Sequence, residues 1–597
     1  MVPPAKSSTS APAPTSPLTD KPADESAGTP SSAGAAWLWP LTIAVAVALT
    51  FAPARQHELL FYDDSINIPD NPHLQRPLHL ARVLHFWLHT YEGLYAPIPY
   101  TVFAAQVAVL EVAGLEPSEP LPPQIFHITS IALHALAAIA VWLWLRELTG
   151  MATAAGFGAL LFALHPLAAE SVGWVTDTRG LLAALFAALA LWRYAVFAHR
   201  LNNERPAKAA YAWATAFFIC GLLSKPSAAS IPLMAAVVAV GWQKVSKRRV
   251  AISLVPWLIF AGILAIVTKS QQGAETLAFQ VAWSQRPLVA LDALSFSVGK
   301  LLVPVDLITD YGRSPDRIQE FARPGISMLV LVVLTLVSAI SRARRIWLVA
   351  LAVFVAGLTP TLGFITFSYQ AHSTVADRFA YLALWGPALA LAGALACWPQ
   401  HALRGVAVVV IISLAVVSNA QIRYWQNDIT LFQHTLTHNM RSLMAYNNLG
   451  IALFEHERYD EAIDTFRRGL EFSEDSFELH NGLGRALRAS GEIEQALVAF
   501  HKAVVFAPGN LTVRNNLGET LLDARQPAAA AEQFLAVLEM GGQPYANVHF
   551  NLGSAYEALG QNQEALLCYR TALQLDPNYQ EAAARCVAIE ESANQTP

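Results

Sequence analysis

The sequence predicts an all-α protein, a polytopic membrane helical bundle of about eleven spans followed by an α-solenoid of helical repeats. Three observations carry this prediction. Of the 597 residues, 54% are hydrophobic and only 14% charged, against roughly a quarter charged in a soluble domain. Mean hydropathy is +0.38, so much of the chain is solvated by lipid. Apolar runs of bilayer-crossing length recur as far as Ile422, and a different pattern, with a period near 34 residues, follows them.

Residues 1–35 are dominated by Pro, Ser, Ala and Thr, too poor in large apolar groups to offset the entropy of ordering. They read as a disordered cytoplasmic tail. Ala36 to Ala54 is the first span, since no basic stretch directly before it suggests a cleaved signal peptide. Ten further runs follow at 125–146, 152–168, 180–198, 209–224, 227–242, 250–268, 326–340, 346–367, 379–398 and 405–422. The domain at 36–422 is thus transmembrane, with its first outer loop at 55–124.

Orientation comes from three basic clusters in short connections: Arg200, Arg205 and Lys208; Lys244, Lys247, Arg248 and Arg249; Arg342, Arg344 and Arg345. Lys and Arg favour the cytoplasmic side. Parity then puts the loops at 55–124, 165–180, 269–325 and 368–378 outside, with everything after Ile422. Pro97–Leu115 and Pro287–Val305 would reverse the parity if they crossed, and they read as helices lying at the outer face.

Beyond Ile422 the balance of charge changes. Residues 423–597 carry 12 Lys/Arg and 22 Asp/Glu, leaving the rest of the chain net positive. Neither half has the basic excess of a nucleic-acid binder. Leu449-Gly450, Leu483-Gly484, Leu517-Gly518 and Leu552-Gly553 recur at 34, 34 and 35 residues, with Ala462, Ala496, Ala530 and Ala565 and then Phe466, Phe500, Phe534 and Tyr569 in step. This is the tetratricopeptide signature, in which small residues let two helices pack closely and the aromatic fills the gap toward the next repeat. Residues 443–590 hold four repeats and a capping helix at Tyr579–Ser592. Such arrays bind peptides or proteins in a groove, or serve as spacers. The four cysteines are too few for a disulfide framework.

Candidate chemistry lies among ionisable groups at the outer face, because charge near lipid is costly. Asp63 and Asp64 follow the first span directly, in Tyr62-Asp63-Asp64-Ser65. Adjacent acids raise each other's affinity for protons, which suits a general base. They are also residues of the type that ligate a divalent metal, although two carboxylates are a thin ligand set. The structural alternative is a solvated turn. Glu170, Asp177 and Arg179 lie in the next outer loop, Lys225 in a tight outer turn, and His372, Asp377, Arg378 and Tyr381 around the start of a later span. Each alone reads equally as an anchor or a snorkelling cation. Their convergence on one side is what an acceptor hydroxyl and a departing phosphate require, and makes Glu170, Arg179, Lys225, Arg378 and Tyr381 candidate substrate- and phosphate-binding residues.

Five stretches taken together resemble a known family. They are the Tyr-Asp-Asp after the first span, His165-Pro166 with Glu170 and the following Asp-x-Arg-Gly-Leu-Leu, Gly221-Leu-Leu-Ser-Lys225, Asp377-Arg378-Phe-x-Tyr381-Leu, and Trp425-x-Asn-x-Ile-Thr-Leu-Phe432 leading into the repeats. In this order they resemble the transmembrane and tetratricopeptide repeat-containing O-mannosyltransferases and their bacterial relatives. The resemblance implies a GT-C glycosyltransferase fold with a catalytic acid in the first outer loop. It further implies transfer of mannose or another hexose from a polyprenyl-phosphate donor, with inversion, to a Ser or Thr hydroxyl. By carry-over Asp63 or Asp64 is the base, while Arg378 and Lys225 contact the lipid phosphate. The chain departs from the family pattern at Pro226, where Glu is common, and at Asp377, where the family carries Glu-Arg or a similar pair.

A phosphate ester leaves without a strong general acid, so one base plus fixed positive charge suffices for a single displacement, unlike glycoside hydrolysis with its two carboxylates. No metal is required. The expected protein is a multi-pass membrane glycosyltransferase, in a bacterial inner membrane with periplasmic repeats, or in an endoplasmic reticulum with lumenal ones. Its partners are the lipid-linked donor and a protein acceptor in the repeat groove. The rival class is a non-enzymatic membrane scaffold that carries the repeats for envelope or secretory protein assembly. A transporter is disfavoured because the ionisable groups gather at one face rather than midway through the spans.

Overall fold

The computed structural model describes residues 37–270, 281–321, 343–542 and 545–595, with isolated positions between 329 and 341. The expected tail at 1–35 lies outside the described residues, and the expected span at 326–340 lies largely outside them. Among the described residues the chain is helical, with one isolated bridge between Tyr91 and Leu94 and no strand. It divides into two compact units, one of Met1–Leu307 with Arg313–Gln426 and one of Ile308–Gly312 with Asn427–Pro597.

The first unit contains α1 (Leu38–Thr50), α2 (Leu80–Leu88), α3 (Pro97–Val112), α4 (Pro123–Thr149), α5 (Ala152–Ala163), α6 (Thr178–Asn202), α7 (Lys208–Leu222), α8 (Ile231–Gly241), α9 (Lys247–Ser270), α10 (Arg286–Leu302), α11 (Arg344–Leu358), α12 (Trp385–Cys397) and α13 (His401–Ile422). Five helices, those containing α4, α6, α9, α11 and α13, are long and apolar enough to cross a membrane. A sixth candidate is α5 with Pro166–Gly173, bent by 58°. Four more expected spans are the shorter helices α1, α7, α8 and α12. Of the about eleven spans expected, the described residues thus show five at full crossing length, or six with the bent pair.

Proline is the main physical reason for the shortfall. A 13-residue helix such as α1 rises about 20 Å, short of a hydrocarbon core of about 30 Å. Pro53 follows α1, Pro166 follows α5 and Pro226 separates α7 from α8, and each ring removes a backbone donor and ends or bends the helix near it. Sequence hydropathy leaves a gap between two runs at Pro226 but does not register Pro53 or Pro166, which lie inside the runs at 36–54 and 152–168. The two segments expected not to cross form α3 and α10, neither of which reaches spanning length.

Small residues bring the helices together. A Cβ on Gly158 of α5 would lie 2.5 Å from the Ala388 carbonyl oxygen of α12, and one on Gly386 of α12 would lie 2.5 Å from that of Ala350 in α11. Such close backbone approach is the usual device where lipid provides no hydrophobic drive between helices.

The second unit begins with α14 (Asp428–His438). Four antiparallel pairs follow: α15 (Leu443–Glu455) with α16 (Tyr459–Leu470), α17 (Phe477–Ala489) with α18 (Ile493–Phe506), α19 (Leu511–Asp523) with α20 (Pro527–Val537), and α21 (Ala546–Ala558) with α22 (Asn562–Leu575). The last helix, α23 (Gln580–Gln595), packs on α22. Ser442, Ser476 and Asn510 cap the first helices of three pairs, each side chain accepting the N–H three residues on, as N-cap residues do. The periodic glycine meets the periodic aromatic: a Cβ on Gly450 would lie 2.5 Å from the Phe466 ring, on Gly518 2.5 Å from Phe534, and on Gly553 2.7 Å from Tyr569. A Cβ on Gly482, in the next pair, would lie 2.4 Å from the same Phe466 ring. The ring is thus held between its own repeat and the following one. Asp310, from the short segment assigned to this unit, accepts the Ser442 hydroxyl at 2.5 Å and, through its carbonyl, the Asn439 amide at 3.0 Å. Cys568 and Cys586 are buried and unbridged.

Candidate functional site

The two adjacent acids of the first loop take opposite directions. Asp64 opens a short helix, Asp64–Asn67, and is fully buried. Its Oδ1 accepts the Thr176 N–H at 2.8 Å and the Thr176 hydroxyl at 2.6 Å, and its Oδ2 accepts the Leu60 N–H at 3.0 Å. Burial pushes the Asp64 carboxyl up to about 7, opposed by these hydrogen bonds and reinforced by the neighbouring Asp63. Asp64 therefore ties its loop to the Val175–Asp177 turn ahead of α6.

Asp63 instead lines a cavity of about 510 Å³. Burial raises its proton affinity, Arg179 and Arg378 lower it, and Glu92 raises it again. Its carbonyl accepts the Asn67 side-chain amide at 2.7 Å, and Asn67 Oδ1 accepts the Tyr100 hydroxyl at 2.6 Å. This chain of bonds fixes the backbone that carries Asp63.

Three cations line the same cavity. Arg179, in the first turn of α6, donates through Nε to the Thr176 carbonyl at 3.2 Å. Lys225, between α7 and the Pro226–Ser230 turn, donates to Asp177 Oδ1 at 2.6 Å and is a quarter exposed. Its ammonium has three hydrogens, so this bond leaves it capacity for an anion. Arg378 is the most enclosed. Its guanidinium pairs with Glu170 Oε1, its backbone N–H donates to Glu170 Oε2 at 2.7 Å, and the rings of Tyr369, Phe379 and Trp174 lie 4.3, 5.0 and 5.1 Å from it. Burial opposes the Arg378 charge, but Glu170 and the surrounding hydroxyls hold its pKa above the ordinary arginine value. Cation–π contact adds to that retention.

Of the residues expected from sequence, Asp63, Arg179, Lys225 and Arg378 come together around this space. Asp64, Glu170 and Tyr381 stand behind it. Glu170 is buried against Arg378. The Tyr381 hydroxyl meets His134 Nδ1, while His134 Nε2 donates to the Ala163 carbonyl at 2.8 Å. That partner fixes the imidazole tautomer, leaving Nδ1 to accept the phenol proton. The sequence assigns no role to the aromatic wall of Tyr62, Trp174, Tyr369 and Phe379, nor to Glu92, which stands on the Tyr91–Leu94 turn with φ of 49°. These residues share no periodicity, although a non-glycine in left-handed backbone is a recognised mark of a constrained site. Among the described residues no group of three or more His, Cys, Asp or Glu side chains is arranged to hold a metal ion.

Chemically, the cavity combines a carboxylate of elevated basicity, fixed positive charge and aromatic faces. Such a set can hold an anion and accept a proton from a hydroxyl. The second unit offers a separate polar surface, where Arg488 pairs with Glu519 and Asp523, each at 2.6 Å, and Asn516 donates to Asn481 at 2.9 Å.

Comparison with known proteins bears on the second unit. Residues 432–477, 447–510 and 546–579 match the tetratricopeptide repeat family. No curated protein matches the chain. Among solved structures, a crystal structure of MamA is 18% identical, covering 26% of this chain and 83% of that one, with a TM-score of 0.23. MamA 41-end from Desulfovibrio magneticus RS-1 is 20% identical over 26% of this chain and 97% of that one, with a TM-score of 0.22. YrrB, a TPR protein with an unusual peptide-binding site, is 22% identical over 30% of this chain and 90% of that one, with a TM-score of 0.25. The C-terminal region of this all-helical chain carries tetratricopeptide repeats.

Proposed function

We propose that the chain is a membrane glycosyltransferase of the GT-C type, which moves mannose or another hexose from a polyprenyl-phosphate donor to a Ser or Thr hydroxyl of a protein. The observation that carries this reading is the cavity where Asp63 meets Arg179, Lys225 and Arg378 beside aromatic faces. Asp63 takes the acceptor proton, the hydroxyl oxygen attacks the anomeric carbon, and the phosphate departs toward Lys225 and Arg378. Glu170 positions Arg378, and Asp64 positions the Asp63 loop. The tetratricopeptide repeats hold the acceptor protein. By the charge of the short connections, the cavity and the repeats both belong to the non-cytosolic side, the periplasm for a bacterial inner membrane or the lumen for an endoplasmic reticulum.

Glycoproteomics of cells expressing either the wild-type chain or Asp63→Asn tests the reading. Hexose-modified Ser/Thr peptides should be present with the first and absent with the second at equal expression, and an unchanged set would reject it. The scaffold reading also has an observation in its favour, since Lys225 and Arg378 are each already paired with a carboxylate. A scaffold tolerates Asp63→Asn and fails instead on substitutions in the repeats.

A further inference from the structure

Tyr91 and Leu94 exchange both backbone hydrogen bonds, at 3.0 and 2.9 Å, across Glu92 and Gly93, whose φ values are 49° and 67°. Two successive positive φ angles make a type I′ turn, whose first central position favours Asn, Asp or Gly. Glutamate does not suit it, because the short polar side chains bond locally to the backbone and so tolerate the left-handed region. The turn is nevertheless firmly built. The Tyr91 hydroxyl donates to the Ile66 carbonyl at 3.0 Å, and the Tyr91 ring packs edge-on against Phe86 and Tyr100 at 5.9 and 5.4 Å.

Three carboxylates line the cavity, those of Asp63, Asp177 and Glu92. Asp177 is paired with Lys225, and Asp63 lies in the fields of Arg179 and Arg378. Glu92 is exposed, and among the described residues its carboxylate has no hydrogen-bond or ion-pair partner. Its charge also raises the proton affinity of Asp63. The turn thus adopts a disfavoured backbone conformation that holds an acceptor-only group at the cavity rim, and such conformations cluster where a ligand is met. The charges indicate which part of a ligand that is. A phosphate belongs with Arg179, Lys225 and Arg378 and is repelled by Glu92, so Glu92 meets the neutral, hydroxyl-bearing part of the substrate. A carboxylate can accept two hydroxyls of a sugar ring at once, one on each oxygen. We infer that Glu92 is a specificity residue, accepting hydrogen bonds from hydroxyls of the donor's hexose and thereby selecting which hexose is transferred. This role rests on the proposed function, since sugar must be transferred from a polyprenyl phosphate for Glu92 to select it.

The test compares full-length wild type with Glu92→Gln and Glu92→Asn in nanodiscs, given a polyprenyl-phosphate hexose, its monodeoxy analogues and two Ser/Thr-containing acceptor proteins. Asparagine suits the turn, so Glu92→Asn should melt no lower than wild type, and its losses are not those of misfolding. Wild type should use at least one deoxy donor about tenfold or more less well in kcat/KM, the usual weight of a hydrogen bond to a charged group. Both variants should lose that discrimination, the parent hexose falling to the level of the deoxy donor while the deoxy donor itself is unchanged, as a double-mutant cycle requires of a direct contact. Discrimination kept by both variants would overturn the inference and leave the proposed function standing. So would an equal loss on every donor, which, with an acid limb moved to lower pH, would make Glu92 a modulator of Asp63 alone. A loss that follows the acceptor rather than the donor would assign Glu92 to the acceptor and equally overturn the inference. If wild type transfers nothing from any donor, the proposed function falls with it.

Discussion

At the scale of single residues, Asp63 and Asp64 are neighbours with separable roles. Asp63→Asn should fold normally and lose sugar transfer by about 100-fold or more, the usual cost of removing a general base. Asp64→Asn should be destabilised by roughly 1–3 kcal/mol, because an amide cannot accept at both ends and leaves either the Leu60 N–H or the Thr176 donors unmet. Thermal melting of both variants beside a transfer assay separates the two effects. The pH dependence has a definite sign. With a native carboxyl near 7 and an unfolded one near 3.9, Asp64 binds more proton in the folded state between those values. Its contribution to stability is full below the unfolded value and is lost as pH rises toward 7. Melting temperature should fall over that window in the wild type and flatten in Asp64→Asn. Transfer moves the opposite way: burial raises the Asp63 carboxyl, so the acid limb of the rate profile should lie above the ordinary aspartate range. Glu170→Ala strips the partner from a buried guanidinium and should cost about 3–5 kcal/mol, read as lost thermal stability before any effect on transfer is considered.

At the scale of elements, the repeats were the most legible part of the sequence because one period states both halves of a contact. Gly518 and Phe534 are 16 residues apart in every copy of the pattern, and in the fold they touch. Gly518→Val should therefore overpack the α19–α20 pair and destabilise the second unit by roughly 1–3 kcal/mol, measurable as a shift in its unfolding midpoint. The bundle was less legible. Hydropathy located its apolar runs, but α1, α8 and α12 are shorter than the runs that contain them, because the turns Ala52–Gln56, Pro226–Ser230 and Asp377–Ala380 take up run residues without interrupting apolar composition. The cavity was half legible. Asp63, Arg179, Lys225 and Arg378 stood out as charges in an apolar sequence, whereas Trp174 and Tyr369 looked like any other aromatic near a membrane interface. That Asp64 and Glu170 point away from the cavity is a matter of partners, Thr176 and Arg378, that lie 112 and 208 residues away.

For the whole molecule, the account requires the first outer loop and the repeats to share the non-cytosolic side. Impermeant thiol reagents added to oriented membranes should reach cysteines substituted for the exposed Glu92 and Leu567 from that same side. The most direct measurement is transfer itself. Purified full-length chain in nanodiscs, given a polyprenyl-phosphate hexose and a Ser/Thr-containing acceptor protein, should glycosylate the acceptor, with Asp63→Asn reduced about 100-fold or more and Lys225→Ala impaired in use of the donor. Transfer by Asp63→Asn at the wild-type rate would contradict the account.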